Sequence, residues 1–259
     1  MNQTEQVLDF AVHLSRGMLE AGANLERVSI SIQRLCKTYH LTEVSIFVIN
    51  SMISVSAKDE TGDSYVRQGA APISGIQLAK LRKLNRLVHR IMHEKPRPEE
   101  LQDLLYECLM MPGYSTVTTI CGYILAMVCL CKIFGGSWQD MIVVSLNTVG
   151  LYFITGVFSR EKLNRIIANV IAMFFCGCMA ILFVTVGFAQ HLSSIIITNA
   201  FYLIPGIPMV NAFRNIICGN ELNGIIEMVK VLLEVVTIVA GLYIACLVFG
   251  PGAPALFGI

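Results

Sequence analysis

YLIPGIPMVNAFRN, residues 202–215, decides how this chain is read. It lies inside a long apolar run, yet it carries prolines at 205 and 208 with Gly206 between them, then Arg214 with asparagines around it. A helix that only anchors a protein in lipid has no use for such residues. Proline lacks a backbone N–H and crowds the carbonyl one turn earlier, so Pro205 and Pro208 predict a broken helix with main-chain oxygens left over. In hydrocarbon those oxygens are tolerated only where they line a polar cavity.

The surrounding composition is that of a membrane protein. Of 259 residues, 55% are hydrophobic and 14% charged, against about 25% charged in an ordinary soluble domain. The net charge of +1 gives no electrostatic case for nucleic acid. Charge is also unevenly spread: residues 1–112 hold thirteen of the nineteen Lys/Arg and thirteen of the eighteen Asp/Glu. Two parts are therefore expected, residues 1–112 and 113–259. MNQTEQVLDF has neither a basic start nor an immediate apolar run, so no signal peptide is expected and the first part is placed in the cytoplasm.

In the first part, apolar residues recur at helical spacing from Thr4 to about His40, interrupted at AGAN. This predicts two helices meeting at Gly22, the second capped by Asn24. TEVSIFVINSMISVSA (42–57) is rich in β-branched residues with a turn at Asn50-Ser51, and YVRQ adds a third short strand. ISGIQLAKLRKLNRLVHRIMHE returns to helical period, and PRPEELQDLLYECL starts another helix with Pro98 in its first turn. The fold class is a cytoplasmic α+β domain followed by a five-helix transmembrane bundle whose fourth helix is broken by proline.

The first part holds no G-x-G-x-x-G, Walker, G-x-S-x-G or H-E-x-x-H sequence, so no enzyme is expected. His89 and His93 stand four apart with Glu94 behind them and read as a solvated helix end. Glu20, Glu26 and Arg27 beside the glycine break read as a surface ion-pair cluster. Most of the nine cysteines lie in or beside apolar segments and read as small buried hydrophobes, with no metal and no cofactor expected.

A span needs about 20 apolar residues, and five are found at about 114–134, 141–158, 166–188, 194–217 and 225–250. Arg160, Lys162, Arg165 and Arg214 fall on one side with the N-terminal part, while GGSWQD and AQHLSS carry no Lys or Arg. That places the C-terminus outside. Counting along the helices puts Pro205, Gly206, Pro208, Asn147 and Glu234 in one layer near the midplane. An ionisable residue at such depth is functional by default. Lys230 and Glu227 share its helix face, Asn169 and Asn199 read as interhelical hydrogen bonders, and Arg214 reads as an inner-interface anchor or an attractor of anions.

GMLEAGANLERV, LRKLNRLVHRI and LIPGIPMVNAFRNIICGNELNGI together resemble the threonine/serine exporter family of the ThrE and YjjP type, over essentially the whole chain. Ser29 stands where the family often has a glutamate. Full-length members resemble a fusion of this architecture with a further membrane half, so the resemblance implies the larger, YjjP-type subunit of a split exporter, working with a small YjjB-type membrane protein. It implies proton-coupled efflux of threonine and serine or of dicarboxylates such as succinate. Pro205, Gly206, Pro208, Asn211, Arg214 and Asn147 are expected to bind substrate; Glu234, with Lys230 and Glu227, is expected to carry the coupling proton. The alternatives are a membrane-anchored sensor or scaffold, and a membrane-bound hydrolase using carboxylates of the soluble part.

Overall fold

The computed structural model describes residues 2–49, 52–70, 77–110, 114–161 and 164–249. The Asn50-Ser51 turn, residues 73–76, Lys162 and the terminal GPGAPALFGI lie outside the described residues. The chain forms two compact units, one of Met1–Gly113 with Val210–Ile226, the other of Tyr114–Met209 with Glu227–Ile259.

The first unit is α+β. Helix α1 (Gln3–Glu20) leads into α2 (Leu25–Thr38), then strands β1 (Thr42–Ile49), β2 (Met52–Lys58) and β3 (Ser64–Ala70), helix α3 (Leu78–Glu94), a 3-10 turn at Pro98–Glu100 and α4 (Leu101–Leu109). The break at Gly22 is a Schellman ending: Ala23 N–H donates to the Met18 carbonyl at 2.9 Å and Gly22 N–H to that of Leu19 at 3.0 Å. Gly22 adopts φ 88° there, which a Cβ would disfavour. Asn24 then caps α2, its Oδ1 accepting from Arg27 N–H at 3.3 Å.

The three strands form an antiparallel meander in the order β1-β2-β3. The register Val48↔Ile53↔Gly69 and Ile46↔Val55↔Arg67 sets one face inward, where Ile53, Val55 and Ala57 are buried while Ser54 and Ser56 alternate outward. Helix α1 covers that face, burying Val7, Leu8, Phe10, Ala11, Leu14 and Met18. Gly69 lets it approach: a Cβ there would come 2.5 Å from the Val12 Cγ1.

Helix α5 (Thr116–Ile133), α6 (Trp138–Arg160), α7 (Arg165–Thr185), α8 (Leu192–Leu203), α9 (Gly206–Ile217) and α10 (Glu221–Phe249) follow. By length and composition, α5, α6, α7 and α10 can each cross a membrane, and α8 with α9 makes a bent pair that is a fifth if the two count as one span. In the second unit small residues bring helices together. Gly150 faces Phe175, Gly177 faces Ala245, and Gly241 lies against the Val170 carbonyl, where a side chain would collide with backbone. The last two pairs, 170 with 241 and 177 with 245, rise in step along α7 and α10, so the two helices run parallel.

The first unit also takes in the second half of α9 and the start of α10. A second Schellman ending closes α9 at Gly219 (φ 82°), with Asn220 N–H on the Asn215 carbonyl at 2.8 Å. Gly224 then packs against Ile216 and the Ala212 carbonyl. Asn223 Nδ2 donates to the Val48 carbonyl at 2.7 Å, tying this hairpin to β1.

Candidate functional site

The break falls where proline chemistry puts it. Helix α8 ends at Leu203, Ile204 is extended (φ −62°, ψ 126°), and α9 restarts at Gly206 with a 57° bend between the two. Pro205 has no N–H to offer, and Gly206 N–H turns to the Ile204 carbonyl at 2.9 Å. The carbonyls of Phe201, Tyr202 and Leu203 therefore receive no backbone N–H from across the break. Pro208 is the third residue of α9, a position whose N–H has no partner in any helix, so it initiates α9 and interrupts nothing.

Next to the break stands an aromatic cluster that the sequence reading did not single out. Tyr202 packs on Tyr123 with ring centroids 5.0 Å apart, and Tyr123 on Tyr152 at 6.4 Å. No periodic signal distinguishes these tyrosines from lipid-facing aromatics.

Asn147 is fully buried; its Nδ2 donates to the Cys176 carbonyl at 3.5 Å while its Oδ1 has no partner among the described residues. Asn169 and Asn199 are buried as well, the first with Nδ2 unpartnered and the second with both polar atoms unpartnered. Such groups cost about 1–3 kcal/mol each when unsatisfied.

Glu234 has a partner other than the Lys230 pair considered from sequence. Its side chain is 17% exposed and its Oε2 lies 3.3 Å from Arg165 Nε. That is an ion-pair distance without hydrogen-bond alignment. Arg165 is the first residue of α7, so the carboxyl is level with the end of that helix and not with its middle. The depth count from residue 225 differs because α10 begins at Glu221 and, at 29 residues, runs about 43 Å, overhanging α7. Lys230 and Glu227 lie one and two turns earlier on α10, both engaged in interactions.

Asn211 and Arg214 belong to the first unit. They line a cavity of about 520 Å³ with Gly22, Asn24, Glu26, Arg27 and Arg34 on one side and Asn85, His89 and Met92 on another. Arg214 Nη2 donates to Glu26 Oε2 at 3.0 Å, and Cys218 Sγ approaches the same oxygen at 3.7 Å. The surface cluster read at Glu26 and Arg27 is thus split, with Glu26 engaged by a residue 188 positions away. His89 lies on the cavity wall with His93 one turn beyond, and among the described residues no group of three or more His, Cys, Asp or Glu could hold a metal ion.

Away from the break, Asp140 is fully buried at the start of α6. It accepts from Ser137 N–H and Oγ at 2.8 Å, from Gln190 N–H at 2.8 Å and from His191 N–H at 3.2 Å. The two Ser137 donors reach Oδ2, which also lies 2.8 Å from His191 Nδ1, and the two backbone N–H groups of 190 and 191 reach Oδ1. The loops before α6 and before α8 are joined through this one carboxylate.

The family described as "Putative threonine/serine exporter" matches residues 9–249 of the chain. A protein described as "Probable threonine/serine exporter" from Mycobacterium tuberculosis (strain ATCC 25618 / H37Rv) is 22% identical over 254 residues, which cover 93% of this chain and 46% of that protein. The chain thus spans about half the length of the curated relative it matches. No solved structure matches it.

Proposed function

Because the chain belongs to the threonine/serine exporter family, we propose that it is a subunit of a secondary exporter for small carboxylate-bearing metabolites, threonine and serine or dicarboxylates such as succinate. The observation that carries this reading is the break at Ile204 and Pro205, where three carbonyls of α8 lose their helical partners within an apolar span. Discontinuous helices that turn backbone groups toward substrate and ions are the common device of secondary transporters. Pro205 and Gly206 shape that site with Pro208 in the first turn of α9 beside it, Asn147 supplies a buried amide, and Asn211 and Arg214 receive the anion on the cytoplasmic side.

Glu234 is the proton carrier in this reading. It is a shielded carboxyl within α10 whose ion-pair partner, Arg165, stands at the start of α7. The N-terminal unit faces the cytoplasm and the C-terminus lies outside, following the basic residues at 160–165 and 214. A small YjjB-type membrane subunit completes the assembly, in which this chain is homo-oligomeric.

The test is efflux from proteoliposomes holding the complete complex, with labelled serine and succinate in parallel. A pH gradient should drive efflux of at least one cargo, and Glu234→Gln should abolish the gradient dependence. Unchanged efflux in that variant removes Glu234 from the mechanism, and failure to move either cargo removes the exporter reading.

A further inference from the structure

We propose that the cavity of the first unit is a binding site for a small dianion, a dicarboxylate or a phosphate monoester, held between Arg27 and Arg34. The cavity shares Asn211 and Arg214 with the proposed transport path, but the inference concerns ligand capture by Arg27 and Arg34 of the first unit and stands whether or not the chain moves the same molecule.

The volume of about 520 Å³ is that of a small-molecule site. Helix α2 presents Arg27, Ile30, Ser31 and Arg34 to it, and α3 presents Leu81, Asn85, Val88 and Met92, both at the three- and four-residue spacing that puts side chains on one helix face. Leu81 and Val88 are buried and Met92 is half-buried, while the polar groups belong to the wall above them.

Charge decides what the site takes. Three arginines and one glutamate line it, so two positive charges are uncompensated with His89 neutral. Glu26 is engaged by Arg214 at 3.0 Å, whereas Arg27 and Arg34 have no carboxylate partner among the described residues. The two stand seven residues apart, two turns of one face or about 10 Å, close enough for their long side chains to converge on one ligand. Guanidinium groups bind carboxylate and phosphate oxygens bidentately.

Asn24 adds a neutral donor. Its Oδ1 is committed to capping α2, which fixes the amide orientation, and its Nδ2 is buried with no hydrogen-bond partner among the described residues. A zwitterionic amino acid fits less well, because its ammonium would need Glu26, which Arg214 already holds. A doubly charged oxyanion needs no such group and neutralises both free guanidinium groups.

The experiment is calorimetric titration of the full chain in detergent at low ionic strength with succinate, inorganic phosphate and serine. At least one dianion should bind, with affinity falling as salt is raised, and serine should bind at least tenfold more weakly. Whether succinate or phosphate is preferred identifies the source of the dianion. Arg27→Gln with Arg34→Gln should weaken binding at least tenfold, while Lys37→Gln, an exposed charge on α2 outside the cavity lining, leaves it unchanged. If the double variant does not fold, Arg34→Gln alone, at an exposed side chain, should still weaken binding. Absence of binding by both dianions, equal binding of serine, or full affinity in the arginine variants overturns the proposal.

Discussion

Glu26 and Arg214 meet at 3.0 Å although 188 residues separate them, and they join the two most distinctive segments of the sequence, GANLERV and PGIPMVNAFRN. The pair is solvated, with side chains 42% and 55% exposed, so its worth to stability is small, about 0–1 kcal/mol. Its consequence is positional, because it holds Arg214 at one wall of a cavity whose other arginines are free. Glu26→Gln and Arg214→Gln should each leave the unfolding free energy within about 1 kcal/mol of the parent chain. Arg214→Gln should nonetheless slow efflux in the reconstituted complex. Parent rates would leave the pair as surface chemistry.

Asp140 makes the opposite case, a buried carboxylate with a full set of donors. Replacing it by alanine leaves the N–H groups of Ser137, Gln190 and His191 without their acceptor and should cost at least about 1–3 kcal/mol, the penalty for a buried donor left unsatisfied. Asp140→Asn keeps the shape and loses the charge, so it should fall between. Thermal unfolding in one detergent ranks the three proteins, and an alanine variant as stable as the parent would show that the two loops are held by something else.

The first unit was legible because its signals are local. Gly22, Asn24, the β-branched run and Pro98 each impose a conformation on their own neighbours, and α1 through α4 follow them. The same holds for the helix break at Pro205. What could not be read was pairing across distance: Arg165 with Glu234, Glu26 with Arg214, and the tyrosines at 123, 152 and 202. A count along one helix assumes where that helix enters the membrane. The early start of α10 at Glu221 shifted Glu234 toward the basic end of α7, beyond the reach of such a count.

Cys36 offers a prediction outside the membrane helices. It is fully buried, and burial pushes its thiol from 9.0 up to about 12. The thiolate is the nucleophile, so the folded protein should resist maleimide at Cys36 at pH 8, while exposed Cys218 reacts. Because the folded value is raised, the buried thiol contributes stability that is whole below pH 9 and is lost as pH climbs toward 12. Peptide mass mapping before and after unfolding decides it; modification of Cys36 in the folded chain would mean that α2 opens.

The two prolines of the break carry unequal weight, and the difference can be measured. Pro208 stands in the first turn of α9, where its missing N–H costs nothing, so Pro208→Ala should leave efflux near the parent rate. Pro205 stands in the gap itself. Pro205→Ala restores an N–H within reach of the Phe201 carbonyl and lets α8 continue through Ile204, so efflux should fall several-fold and the double variant should fall no further. The reading behind these numbers is that unpartnered carbonyls, and not the bend alone, serve the substrate. A Pro208→Ala variant as impaired as Pro205→Ala would point to the bend instead, since both prolines would then act by shaping the helix path.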